Sequence, residues 1–255
     1  MPRQKRAAGG LGGDIVEGRR ATIELLRGQR KVQRIVMGLE QESSPQLDEI
    51  ERLAAKRGVP VELVGKGRLE SVTVTESHQG VVAFAAPVAS VELERLAEGK
   101  RTPFLLIPAG VTDPRNLGSM LRSGEGAGVT GVVLARHRSA HLSPTACKVA
   151  AGAVEHLRFS EVGGIPAALE QLAKLGFTIV GLAGEAKQSL FELPLADGPV
   201  AVVVGGEEKG LPPLVRRRCD VLASLPQQGK VESLNAGVAA GIALYEVARQ
   251  RIAAG

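Results

Sequence analysis

Residues 200–204 read Val-Ala-Val-Val-Val and run straight into Gly205-Gly206. A half-exposed strand alternates apolar and polar side chains, so an unbroken apolar run that ends in glycines fits a strand covered on both faces. Such a strand needs helices on either side, which asks for a layered α/β domain with a parallel sheet. The neighbouring sequence supplies the parts. Candidate strands are FLLIPAG from Phe104, GVVLA from Gly131, FTIVGLA from Phe177 and VLASLP from Val221. Asp113 followed by Pro114 marks a helix start, cap then first turn, running to about Gly126. Ser143-Pro144 starts another, PTACKVAAGAVEH. IPAALEQLAKLG and LPPLVRRRCD read as helices, and a long final helix is expected from about Glu232 to Arg251.

The first half reads as a smaller α/β unit. IVEGRRATIELLRG is expected to be an amphipathic helix and KVQRIVM a strand. A helix starts at Ser44-Pro45 and stops at Gly58; VPVELV is a strand, KGRLESV a short helix, SHQG a turn and VVAFAA a strand. The expected division is a disordered basic arm over 1–13, a first unit over 14–87, a charged, proline-flanked linker over 88–102 and a second unit over 103–255.

Several function classes drop out on composition. No apolar run approaches the ~20 residues of a membrane span, and the basic N-terminus has no apolar core of a secretory leader. Cys147 and Cys219 match no zinc or CxxC spacing, and none of His78, His137, His141 and His156 has metal-ligand context, so no metal is expected and a reducing cytoplasm is. The net charge of +5 favours a polyanionic partner. Aromatic residues are only 2%, so an RNA partner would be held through phosphates and shape rather than stacking. GAGVTG, Gly126–Gly131, spells the dinucleotide pattern G-x-G-x-x-G, but it closes a helix and opens a strand, the reverse of the fingerprint's order. No Walker A sequence is present.

Three stretches of the second half are too polar and glycine-rich for plain scaffolding. The first is DPRNLGSMLRSGEGAG, Asp113–Gly128, where small residues crowd Arg122 despite their poor helix propensity. Arg122 is either a functional guanidinium, or a solvated arginine or one in a salt bridge to Glu125. The second is VVVGGEEKGLPP, whose loop follows the end of a parallel strand, where α/β folds place ligands. Glu207 either orients a substrate or caps a turn. The third is LPQQGKVESLNAGVAAGIALYE, which puts Ser233 and Asn235 in the first turn of the last helix, where free N–H groups can hold a polar ligand.

Together these stretches resemble the three motifs of the SpoU family of RNA ribose 2′-O-methyltransferases, within the SPOUT superfamily. DPRNLGSMLRSGEGAG is similar to its first motif, GGEEKGL to its second and LPQQGKVESLN to its third. The chain departs from the usual pattern at Glu208, Gln227, Ala236, Gly237 and Pro108-Ala109. VEGRRATIELL and SHQGVVA resemble the ribosomal-protein-like RNA substrate-binding domain of the family's 23S rRNA guanosine methyltransferases. The resemblance implies a parallel-sheet domain with a C-terminal trefoil knot and a homodimer. It implies S-adenosylmethionine near backbone groups of Gly205, Leu225 and Leu234. It also implies catalytic roles for Asn116, Arg122, Glu125, Glu207, Ser233 and Asn235, with Asn116 fixing Arg122 or the ribose. The expected reaction is 2′-O-methylation of a ribosomal RNA ribose; tRNA methylation, resistance methylation of rRNA and a non-catalytic RNA-binding relative are the alternatives. For RNA contact the candidates are the basic residues of Gly18–Arg34: Arg19, Arg20, Arg27, Arg30, Lys31 and Arg34.

Overall fold

A computed structural model describes residues 10–99, 101–207, 209–230 and 233–255. The chain divides into two compact units. One comprises the chain up to Ala89 together with His141–His156; the other comprises Ser90–Ala140 with Leu157–Gly255.

The first unit holds a four-stranded sheet in the order β1-β4-β2-β3, with β1 Ile15–Glu17, β2 Val32–Gly38, β3 Val61–Val64 and β4 Val81–Ala85. Only β2 and β3 pair in parallel. Helices α1, Arg19–Arg27, and α2, Pro45–Arg57, bury Leu25, Leu26, Ile50 and Leu53 against Val16, Ile35, Val81 and Ala83. Helix α3, Lys66–Glu70, brings Leu69 to Val36 and Val82. The expected helix over IVEGRRATIELLRG is thus a strand followed by a helix. Gly18 at the N-cap of α1 has φ 99°, a left-handed value that breaks the backbone between them and that only glycine adopts freely. Helix α2 begins and ends as its sequence reads, with Ser44 Oγ accepting from Leu47 N–H and Gly58 left-handed at the C-cap.

The second unit is a seven-stranded sheet in the order β7-β6-β5-β10-β8-β11-β9, parallel throughout. Its strands are β5 Phe104–Ala109, β6 Gly131–Ala135, β7 Phe159–Val162, β8 Thr178–Leu182, β9 Gln188–Ser189, β10 Val200–Gly205 and β11 Val221–Ser224. All six residues of β10 are buried, as are all six of β5 beside it. Helices α4 Pro114–Gly126, α6 Ile165–Lys174, α7 Pro213–Arg216 and α8 Ala236–Ala254 belong to this unit, while α5, Pro144–Val149, belongs to the first. No helix among the described residues is long and apolar enough to cross a membrane.

The expected boundaries shift in several places. His141–His156, expected in the second unit, contributes α5 to the first. The expected linker is packed: Leu93–Ala97 forms a 3-10 turn whose Leu93 and Leu96 lie in the second unit's core. The charged residues between them face solvent, which is why the stretch reads as a linker. Of the expected arm, residues 1–9 lie outside the described residues, but Leu11 is buried and Gly12 bridges Leu142. The last helix begins at Ala236 rather than near Glu232, which itself lies outside the described residues.

Candidate active site

Three chain segments far apart in sequence converge where β5, β10 and β11 end. Helix α4 follows β5, and its start is held by Asp113, whose Oδ1 accepts from Arg115 N–H at 2.8 Å. This places Asn116 in the first turn, 7% exposed. Asn116 Oδ1 accepts from Asn235 Nδ2 at 2.9 Å. Asn235 is the N-cap of α8, with Oδ1 accepting from Gly237 N–H at 2.9 Å and Val238 N–H at 3.2 Å. Its other amide hydrogen goes to Glu207 Oε1, in the turn after β10. The cap fixes which way the amide faces, since only its oxygen can accept two backbone N–H groups. The nitrogen is then forced toward Asn116 and Glu207, and Asn235 has both donors and its acceptor used.

Helices α4 and α8 pack closely along small residues. A side-chain carbon added to Gly237 would lie 2.1 Å from Ser119 Oγ, and one on Gly241 would lie 3.3 Å from Ser123 Oγ. Small residues at i and i+4 on both helices therefore let the backbones approach. This accounts for much of the poor helix-forming sequence around Arg122.

Beside this junction lies a cleft of about 340 Å³ lined by the ends of β8, β10 and β11 and by the approach to α8. Gly205, Leu225, Ser233 and Leu234 all line it. The ladder between β8 and β10 stops at Gly181 and Val203, so the chain beyond opens toward the cleft. Gly205 is required here: an added Cβ would meet Gly210 C and Leu211 N at 2.2 and 2.5 Å. The volume falls within the range of small-molecule sites. Its carboxylates, Glu185 and Glu207, and its exposed backbone suit a cationic cofactor of the S-adenosylmethionine type. Glu185 pairs with Arg216, and that hydrogen bond holds its carboxyl below the usual range. Glu185 was not among the residues expected from sequence; the glycine-containing GLAGEA after a parallel strand was the available clue.

The remaining candidates divide. Arg122 and Glu125 are both exposed, and neither has a protein partner among the described residues, so the Arg122–Glu125 salt bridge does not form. Of the two roles expected for Asn116, fixing Arg122 or the ribose, the first does not form: its Oδ1 accepts from Asn235 instead. Ser233 precedes α8 rather than occupying its first turn, and Asn235 is its cap.

The basic stretch of the first unit is largely spent on its own fold. Arg19 donates to Gln79 O, Ser44 Oγ and Gln41 Oε1. Arg30 is 11% exposed and makes a two-pronged pair with Glu155, at 2.5 and 3.1 Å. Arg27 pairs with Glu24 and Glu49. Arg34 pairs with Glu62 and lies over the Phe84 ring. Only Arg20 and Lys31 of the six are exposed without a partner among the described residues. No cluster of three or more metal-ligating side chains occurs among the described residues. Burial pushes the Cys147 thiol up to about 12 and Cys219 up to about 11, which leaves both unreactive near neutrality.

Comparison with known proteins identifies the family. The family model of the SpoU rRNA methylase family matches residues 103–245, and that of RNA 2′-O ribose methyltransferase substrate binding matches 15–91. The chain is 41% identical over 213 residues to 23S rRNA (guanosine-2′-O-)-methyltransferase RlmB of Pseudomonas putida, covering 82% of this chain and 85% of that protein. It is 42% identical over 215 residues to the protein of that name in Xanthomonas axonopodis pv. citri, covering 83% and 86%. Among solved structures, an RNA 2′-O ribose methyltransferase superposes with a TM-score of 0.75 at 26% identity, covering 93% of this chain and 88% of the other. The SpoU methyltransferase AviRb from Streptomyces viridochromogenes, in complex with AdoMet, has a TM-score of 0.78 at 22% identity, covering 94% and 90%.

Proposed function

We propose, from the premise that the chain belongs to the SpoU rRNA methylase family, that it methylates the ribose 2′-oxygen of a guanosine in 23S ribosomal RNA, using S-adenosylmethionine. The observation that carries this reading is the Asn116–Asn235–Glu207 hydrogen-bonded junction, which joins all three motifs at the lip of the cleft. Relatives above 40% identity over four-fifths of the chain carry the guanosine-2′-O-methyltransferase name, which supports the substrate. A ribosomal RNA substrate supports a cytoplasmic location.

Backbone groups at Gly205, Leu225 and Leu234 hold the cofactor, and Glu207 and Ser233 order the pocket's edge. The bound cofactor supplies an electrophilic methyl group on a sulfonium. The 2′-hydroxyl must lose its proton as the new bond forms. A guanidinium has five donors and no acceptor, so Arg122 does not take that proton. It stabilises the developing alkoxide and positions the neighbouring phosphate, and the proton leaves to water. Glu125, one turn further along α4, keeps the surface around Arg122 polar. Arg20 and Lys31 of the first unit contact RNA phosphates.

The active form is a homodimer. Val238, Ile242 and Tyr245 are 51%, 38% and 54% exposed and share one face of α8 at i, i+4 and i+7. This apolar stripe fits a second copy of the chain. The return from β11, outside β8, to α8, which packs on β10 and α4, supports the family's trefoil knot in this segment. The experiment is to incubate the chain with labelled S-adenosylmethionine and transcribed 23S rRNA and to map the 2′-O-methyl group. Label at a single guanosine is expected; no transfer, or transfer to a base, overturns the reading.

A further inference from the structure

We infer that Arg138, in the loop after β6, is a positioning residue that holds an RNA phosphate beside the ribose to be methylated, with Arg115 as its neighbour across the site. The inference rests on the rRNA-methylating reading above. Among the described residues, three non-glycine residues have left-handed backbone: Gln79, Arg138 and Ala151, with φ 53°, 57° and 51°. That conformation is disfavoured for any residue with a Cβ and persists where surrounding structure demands it, which makes it a pointer to function. Gln79 has an internal reason, since its carbonyl and side-chain oxygens both accept from Arg19. Ala151 precedes Gly152 in the turn that ends α5. Arg138 has no such reason: it is exposed, and its guanidinium has no partner among the described residues.

The loop is also tied down in a telling place. Ala140 N–H donates to Val111 O at 2.7 Å. Val111 lies two residues before Asp113, the cap of the helix that carries Asn116. The parallel sheet brings the β5 and β6 loops out at the same end. At the loop's entry, Arg136 N–H donates to Val162 O and its side chain pairs with Glu161. The loop is thus pinned at both ends, with a strained, free arginine between the pins. Arg115, in the first turn of α4, is likewise exposed with no side-chain partner among the described residues, and Arg122 follows seven residues later on the same helix face. The nearby acid, Asp113, is committed to capping α4. Unpaired guanidiniums on adjoining elements beside a ribose-directed site match the phosphates that flank a target nucleotide.

The test is equilibrium binding of the full chain to transcribed 23S rRNA over a salt series, using Arg138→Gly, Arg138→Lys and Arg115→Ala. Glycine accepts the left-handed backbone, so the Gly variant removes the guanidinium without disturbing the loop. Its RNA affinity is expected to fall roughly tenfold, with the slope of log K against log salt reduced by about 0.7–0.9. Arg138→Lys should keep the slope, and cofactor binding and thermal midpoint should hold in all three variants. In turnover, KM for RNA should rise with little change in kcat. An Arg138→Gly chain with the unaltered salt slope and KM overturns the inference while leaving wild-type methylation intact. Wild-type chain that shows the Arg138-dependent slope but transfers no methyl group overturns the methylation reading instead.

Discussion

Asn235 donates from Nδ2 to Asn116 Oδ1 at 2.9 Å, joining the first turn of α4 to the cap of α8 across 119 positions of sequence. The same side chain caps α8 and holds Glu207. One amide therefore sets the positions of three motifs, and its two ends can be tested apart.

Asn235→Asp should separate capping from bridging. Aspartate caps a helix about as well as asparagine, so the thermal midpoint should fall by less than for Asn235→Ala, which loses the cap as well. The bridging donors disappear, and a new carboxylate faces Glu207 and the Asn116 oxygen. Methyl transfer should fall at least about tenfold, as expected for loss of hydrogen bonds to a charged group. Differential scanning calorimetry beside a single-turnover assay reads both; a matched loss of stability and activity would make the role structural.

Arg122→Ala should lower kcat by about 100-fold or more, the typical effect of removing a donor aimed at developing negative charge. The residue is exposed and has no partner among the described residues, so folding and cofactor affinity should be unchanged. Isothermal titration with S-adenosylmethionine and labelled methyl transfer distinguish the cases. A near-normal rate would remove Arg122 from the reaction.

What the sequence made legible was what local chemistry decides. Asp113-Pro114 marks the helix carrying Asn116, and five apolar residues in a row mark the central strand β10. Gly126–Gly131 reads as helix end and turn and is so, with α4 ending at Gly126 and β6 starting at Gly131, and Gly126 lies against the Tyr245 hydroxyl of α8. Long-range pairing was not legible. Arg30 looks like any basic residue of a phosphate-binding stretch until Glu155, 125 positions away, is brought to it. The 88–102 stretch looks like a linker because its charges outnumber the two leucines that anchor it. A three-residue strand such as β1 gives too short a pattern to separate from the helix after it.

The Arg30–Glu155 pair should be expensive to break. The side chains are 11% and 5% exposed, and Arg30 also donates to Gly13 O and Ala86 O. Removing one partner leaves a buried unpaired charge, which costs about 3–5 kcal/mol. Glu155→Ala should lower the unfolding free energy from urea titration by that amount, while Glu62→Ala, which breaks the exposed pair with Arg34, should change it by less than about 1 kcal/mol. The same argument makes residues 1–89 without His141–His156 an unstable fragment, since Glu155 and Lys148 are then missing.

Ile242→Asp should produce a monomer. Ile242 and its neighbours Val238 and Tyr245 are large apolar side chains left exposed on α8, and a charge in their middle carries a desolvation cost in any apolar interface. The folded chain itself tolerates the change, because the side chain already faces solvent. Sedimentation at micromolar concentration should show the mass halved with the circular dichroism spectrum unchanged. A monomeric wild type would rule out this stripe as the subunit contact.

The two desolvated thiols, Cys147 buried and Cys219 half-buried, set an alkaline limit on stability. Cys147 is pushed up to about 12 from an ordinary value of 9.0, chiefly because burial penalises the thiolate. The folded state then binds that proton more tightly than the unfolded chain does. Its contribution is fully present below pH 9 and is lost as pH rises from 9 toward 12. Cys219, pushed up to about 11, adds in the same direction. Unfolding free energy should therefore decline above pH 9, and Cys147→Ala should flatten the decline while lowering stability at neutral pH through the lost packing. Iodoacetamide at pH 8 should modify neither thiol quickly in the native chain and both rapidly in denaturant. Rapid native labelling of Cys147 would mean that its helix, α5, opens far more readily than its buried contacts imply.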